Sequence, residues 1–209
     1  MAFTLISGVQ EVRSLINESS ASYWSDTELE SWIKQGCLDW CEKTLLLTQE
    51  DTILLITNQY KYTASTSNYI DNAIRTLHAE YNSTALKRLT FEEIRGHNQM
   101  VLTNNENPKY FYDKYNGLIF TFYIADTPSL TQNGNSATVI FAVRTDDITE
   151  IPYEYQSNIF NYAASKAKMK ERQWQEAQLL WQIYLNNISF SRQDKLEIPE
   201  QTFDQFKEK

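Results

Sequence analysis

The chain has 209 residues, 42% of them hydrophobic and 13% aromatic (13 Tyr, 10 Phe, 5 Trp), which is enough apolar material for a packed core and too much for a disordered segment. The formal net charge is −8, from 19 basic and 27 acidic residues. That balance argues against gripping DNA through its phosphates, while leaving a duplex free to slide past an acidic wall. Apolar runs such as 45–47 and 53–56 are far too short to cross a bilayer. The first thirteen residues have no basic stretch ahead of their apolar patch, and Glu11 interrupts it, so no targeting segment is expected and the cytosol is the expected setting.

Residues 4–48 read as two helices. Ser7 with Gln10 can form a capping box, and Val9, Val12 and Ile16 follow at helical spacing. A polar break spans 17–22. Ser25-Asp26-Thr27-Glu28 is a second capping box, after which Leu29, Trp32, Ile33, Gly36, Cys37 and Trp40 mark one face at steps of three and four. Gly36 on that face allows another backbone to approach closely. Cys37 and Cys41 lie one turn apart, a poor geometry for a disulfide, and the histidines His78 and His97 are distant in sequence, so two buried thiols are expected rather than a metal site.

Residues 51–150 read as β. Segments 52–57 and 59–63 flank Asn58 as an expected hairpin. Segment 73–81 alternates imperfectly, and 89–95 suggests a short helix after Thr90. Segments 109–113 and 118–124 are strand candidates, the latter the strongest in the chain. A turn at 132–135 predicts that 137–143 pairs with the strand before it. The region reads as a small sandwich or meander.

From Pro152, well placed to open a helix, apolar residues recur through 188 at helical spacing. A single helix over 152–190 would be ~58 Å long at about 1.5 Å per residue, so the run either breaks or belongs to an assembly. Trp174, Ala177, Trp181, Tyr184 and Ile188 step by 3, 4, 3 and 4, a heptad-like seam. Between Gln173 and Ser191 Glu176 alone is charged, and such depletion marks an interface core, so these five residues are candidates for a subunit interface. Residues 191–209 read as an extended docking tail with Leu196, Ile198, Phe203 and Phe206 as its apolar contacts.

Together these readings predict an α+β fold: a helical bundle from 1–50 and 151–190 with a long C-terminal helix, plus an inserted antiparallel β domain over 51–150. The five glycines (8, 36, 96, 117, 134) are too scattered to cradle a phosphate, and neither H-E-x-x-H nor G-x-S-x-G occurs. Asp146-Asp147 and Glu92-Glu93 suit solvated loops. Lys166, Lys168, Lys170 and Arg172 spread over more than one helix face and read as solvated, with contact to an acidic partner or DNA as the other reading. No catalytic, cofactor-binding or metal-ligating residues are assigned, and an enzyme is not expected.

The order of these pieces resembles the head-to-tail adaptor (connector) proteins of tailed bacteriophages, with tail tubular proteins of short-tailed phages similar in layout. The resemblance rests on Tyr23-Trp24-Ser25-Asp26 followed by Glu28-Leu29 and Trp32-Ile33; the hairpin from Ile53 to Tyr62; Leu89-Thr90-Phe91-Glu92-Glu93-Ile94; Asn107-Pro108-Lys109-Tyr110-Phe111-Tyr112 with Gly117-Leu118-Ile119-Phe120 leading to Asp126-Thr127-Pro128; and Asp146-Asp147-Ile148-Thr149-Glu150-Ile151-Pro152 running into an alanine-bearing helix. It covers about 5–190. It implies a homo-oligomeric ring, commonly of twelve subunits, between portal and tail in the virion neck, assembled in the host cytoplasm. The β insertion would lie at the ring periphery and the C-terminal segment would engage the portal protein. A tail or next neck protein would be the further partner, DNA the passing cargo, and no membrane is involved. A stopper, tail-completion or tail tubular neck protein is the neighbouring reading, and a small nucleic-acid-processing enzyme the reading from another class.

Overall fold

The computed structural model describes residues 3–18, 23–63, 70–90, 92–93, 107–115, 119–125, 128 and 130–196. The chain forms an α+β fold of two compact units, one from the residues up to Thr44 together with those from Thr145, the other spanning Leu45–Arg144.

Among the described residues four helices build the first unit: α1 (Leu5–Ile16), α2 (Asp26–Thr44), α3 (Tyr153–Lys170) and α4 (Trp174–Leu196). The capping box of α1 is Thr4 with Ser7, three residues ahead of the expected Ser7–Gln10 pair. The Thr4 hydroxyl accepts the Ser7 N–H, and the Ser7 hydroxyl oxygen accepts the Thr4 N–H in return. The helix ends on Asn17 at φ 60°, a left-handed cap that an asparagine tolerates. Buried Arg13 then ties the two helices together: it donates to Glu18 (2.9 Å), to Asp26 (2.6 Å) and to the Trp24 carbonyl (2.8 Å).

The apolar face of α2 is buried as expected at Leu29, Ile33, Gly36, Cys37 and Trp40, and it meets α3. A Cβ on Gly36 would lie 3.0 Å from Ile159 Cγ2 and 3.1 Å from Tyr162 Cδ1. On α1, a Cβ on Gly8 would fall 2.8 Å from the Phe160 ring. Both glycines are therefore the contact points at which neighbouring helices close on α3.

The run 152–190 is two helices, not one. Arg172 takes φ 62°, and the N–H groups of Glu171, Arg172 and Gln173 close on the carbonyls of Ala167, Met169 and Lys168. A non-glycine residue in this conformation costs roughly 1–2 kcal/mol. Buried Lys168 offsets it by holding both sides of the break, with Gln173 at 2.7 Å and Glu176 at 2.9 Å. Because α4 runs to Leu196, the expected extended tail does not begin at 191; residues 197–209 lie outside the described residues.

Among the described residues the second unit has eight strands: β1 (Thr48–Leu54), β2 (Lys61–Tyr62), β3 (Ala73–Tyr81), β4 (Thr84–Ala85), β5 (Lys87–Arg88), β6 (Tyr110–Tyr115), β7 (Phe120–Ala125) and β8 (Ser136–Val143). They form two four-stranded sheets, ordered β1-β8-β3-β4 and β2-β7-β6-β5, antiparallel except for β5 with β6. Two expected pairings are corrected. Asn58 does turn the chain, at φ 59°, but β1 and β2 enter different sheets, so the turn is a corner and not a hairpin. β8 pairs with β1 and β3 and not with β7. The two strands meet face to face instead, with Phe141 edge-on to Phe120 and Phe122 at 5.5 and 6.3 Å between centroids. Alternate residues of both sheets thus share one core, a small sandwich. The expected helix after Thr90 is described only at 92–93, where Glu93 and Thr90 form a reciprocal cap.

Buried Asp113 on β6 links the sheets. Its carboxylate accepts the Thr76 N–H of β3 at 2.7 Å and pairs with Arg88, which also donates to the Thr76 carbonyl. Asp113→Ala leaves that buried N–H without its acceptor, so we expect a loss of about 2–4 kcal/mol by urea unfolding. A change below about 0.5 kcal/mol, the size of an ordinary surface substitution, would contradict this role.

Candidate functional site: an assembly surface

Helix α4 carries two apolar stripes, and the first is the predicted seam. Ala177, Tyr184 and Ile188 are buried within their own unit, with Trp181 half-buried beside them. Tyr162 of α3 lies 5.6 Å from Trp181 and 5.2 Å from Tyr184 between ring centroids, and those two rings lie 5.4 Å apart. The amines of Lys43 and Lys166 sit over these rings at 5.1–5.6 Å. The Tyr184 hydroxyl donates to Asp39, which also pairs with Lys43 at 2.7 Å. Asn187 of α4 donates to Asn158 of α3 at 2.6 Å. Three of the five candidate interface residues thus hold the monomer together. Trp174 alone of the five is largely exposed, at 65%.

The second stripe escaped the sequence reading. Leu179, Ile183 and Phe190 follow at steps of four and seven and are 64%, 38% and 66% exposed. At 100° per residue all three fall within roughly 20° of a line opposite Trp181. Gln175, Gln182 and Asn186 flank them, all exposed. No charged residue stands between Ala177 and Ser191. The signal was available: once the steps from Trp174 are assigned to a core, the remaining apolar residues of the same helix form a line of their own.

The remaining candidates are placed as follows. Lys168 is buried at the α3–α4 break; Lys166 covers the Tyr162 and Trp181 rings; Lys170 pairs with Glu28 at 2.8 Å and sits over Trp24 and Trp32. Three of the four cations in that cluster are therefore engaged within the helical unit, and Arg172 is exposed. Asp147 accepts from the N–H and hydroxyl of Thr149, which holds its carboxyl below the ordinary value and closes the turn ahead of α3. It also lines an open cleft of about 350 Å³ with Leu5, Lys34, Asp146, Ile148 and Thr149. Leu196 ends α4, while Ile198, Phe203 and Phe206 lie outside the described residues. Among the described residues no group of three or more His, Cys, Asp or Glu side chains is placed to hold a metal, and no helix is long and apolar enough to cross a membrane.

Compared with known proteins, the chain matches no family model and no curated protein.

Cys37 and Cys41 are free and buried. Burial pushes the Cys41 thiol up to about 11 and raises Cys37 and Tyr184 as well, the latter helped by its bond to Asp39. Groups raised in the folded protein ionise first in the unfolded chain. Their contribution is whole below the ordinary thiol value of 9.0 and is lost as pH rises through the folded values. We expect a urea midpoint that is flat up to about pH 9 and falls steadily from there to about pH 11; a midpoint unchanged across that interval would refute the burial of these groups.

Proposed function

We propose that this protein is a structural component of a tailed-phage neck, an adaptor whose copies form a ring between portal and tail and conduct DNA without binding it tightly. The observation that carries this reading is the second stripe of α4, an uncharged apolar line that the helical unit leaves uncovered. Isolated exposed apolar residues are ordinary, but three in register on one helix without a charge among them are the composition of an interface core.

Other features support it. The order of sequence elements resembles the adaptor family, and the interruption of a helical unit by a β unit agrees with the layout that the resemblance implies. The chain is acidic, and most of its single basic concentration is engaged in intrachain contacts, which suits a wall that DNA passes. The C-terminal segment, with Leu196, Ile198, Phe203 and Phe206, is the proposed portal contact. The virion neck is the proposed location, with assembly in the host cytoplasm.

Electron microscopy of the purified protein with and without a candidate portal protein tests the reading. We expect rings, or a ring seated on the portal. Removal of 196–209 should abolish portal binding while leaving the circular dichroism and melting of the protein unchanged. Capture of tail subunits in place of portal would move the protein to a stopper, tail-completion or tail tubular position. A monomer with affinity for neither, but with salt-sensitive affinity for duplex DNA, would overturn the structural reading altogether.

A further inference from the structure

The outer stripe of α4 has a fourth member. Asn186 stands within about 40° of the line through Leu179, Ile183 and Phe190 and is exposed like them. With it the steps are 4, 3 and 4, the seam of a coiled coil. Leu179 and Asn186 take the d positions of the heptad, and Ile183 and Phe190 the a positions. Such a seam is filled by the side chains of a second helix. Because α4 is already formed against α3, pairing carries no cost of helix nucleation.

No other helix of this chain presents a matching face. Among the described residues α2 exposes no large apolar side chain, α3 exposes Tyr153 at its first position, and on α1 Ile6 and Leu15 lie about 180° apart. The positions beside the seam say what kind of helix it takes. Residues at e and g ordinarily carry the charges that select a partner. Here they are Gln175, Gln182 and Ser189 on one side and Leu180 and Asn187 on the other. No charge is offered to a helix of different sequence, whereas two identical faces meet without setting like charge against like. Glu176 is the charge at the start of the seam, and Lys168 pairs with it at 2.9 Å. Ile at a with Leu at d favours two parallel strands, and Ile183 and Leu179 have that arrangement. In register, Asn186 meets Asn186 of the other copy. Gln182 Nε2 donates to Asn186 Oδ1 at 3.1 Å, which leaves the Asn186 amine to donate across the seam. An antiparallel pairing would set that amide against Ile183, where it finds no partner.

We infer that in the free protein the outer stripe of α4 is covered by the same stripe of a second copy, the two helices parallel and in register about a two-fold axis. Such a pair closes on itself and does not propagate. The inference goes beyond the ring reading: it gives the form in which unassembled chains hold this surface, and a ring built through the stripe requires the pair to open.

Disulfide trapping tests the pair. Native Cys37 and Cys41 are buried, while Leu179 and Phe190 are exposed in the monomer, so Leu179→Cys and Phe190→Cys each introduce an accessible thiol. In the parallel pair each of these positions lies opposite its counterpart. In an antiparallel pair centred on the seam each would stand about 16 Å from it along the axis, beyond the reach of a disulfide. Sedimentation of the unmodified protein should show a dimer, and mild oxidation of either variant should give a covalent dimer and nothing larger. Ile183→Asp should weaken dimerisation about tenfold or more with an unchanged circular dichroism spectrum. Asn186→Leu should strengthen it, since a polar residue in the seam costs stability. A free chain that is monomeric at every attainable concentration, or already a ring, overturns the pair. So does a dimer that oxidation traps through neither variant, or equal dimerisation of Ile183→Asp. Imaging beside a candidate portal separates this inference from the ring reading. Rings on the portal from a chain that is monomeric when free overturn the pair and leave the ring standing; a trapped dimer with no affinity for portal or tail subunits does the reverse.

Discussion

Every helix of the first unit takes a side of α3, and the approach is close because glycine stands at two of the contacts. Gly8 admits the Phe160 ring and Gly36 admits Ile159 and Tyr162. Once α1, α2 and α4 are seated there, the apolar residues of α3 and the inner stripe of α4 are covered. The outer stripe of α4 is not. Burial of a Leu, Ile or Phe side chain contributes roughly 1.5–3 kcal/mol, so three exposed residues in register hold enough unrealised stabilisation to matter in an association. The monomer closes its core and still leaves this surface exposed.

Electrostatics sharpen the point. Most cations near the helices are engaged in the helical unit: Arg13 with Glu18 and Asp26, Lys168 with Glu176, Lys170 with Glu28, and Lys43 with Asp39. Lys43, Lys166 and Lys170 also lie over aromatic rings. What remains facing solvent is acidic in balance and unsuited to holding phosphates. Repulsion between copies of a chain of this net charge is weakest where uncharged faces meet.

Much of this was legible in the chain. The α2 face from Leu29 to Trp40, the close approach at Gly36, the paired buried thiols and the two classes of structure all follow from spacing and residue type. Strand partners did not, because apolar alternation reports that a strand has a core face without naming the sheet it joins. β7 and β8 were legible as strands, yet they oppose each other across the sandwich. The break at Arg172 was also hidden. No glycine or proline marks it, and it depends on a buried lysine bonding residues on both sides of the turn. The seam from Trp174 to Ile188 was read from its period as a surface for another subunit, but period alone does not say whether the partner is in the same chain. Burial assigned Ala177, Tyr184 and Ile188 to the monomer and exposed Leu179, Ile183 and Phe190 as what is left.

The central claim is that copies of this acidic chain meet through uncharged surface, and ionic strength tests it most directly. Sedimentation velocity from about 0.05 to about 1 M salt, over which the screening length contracts from above 10 Å to about 3 Å, should show larger species as salt rises, since screening weakens repulsion between copies and leaves the apolar contact intact. Dissociation of the assembly with added salt would mean that ion pairs hold it, and the account given for α4 would be wrong.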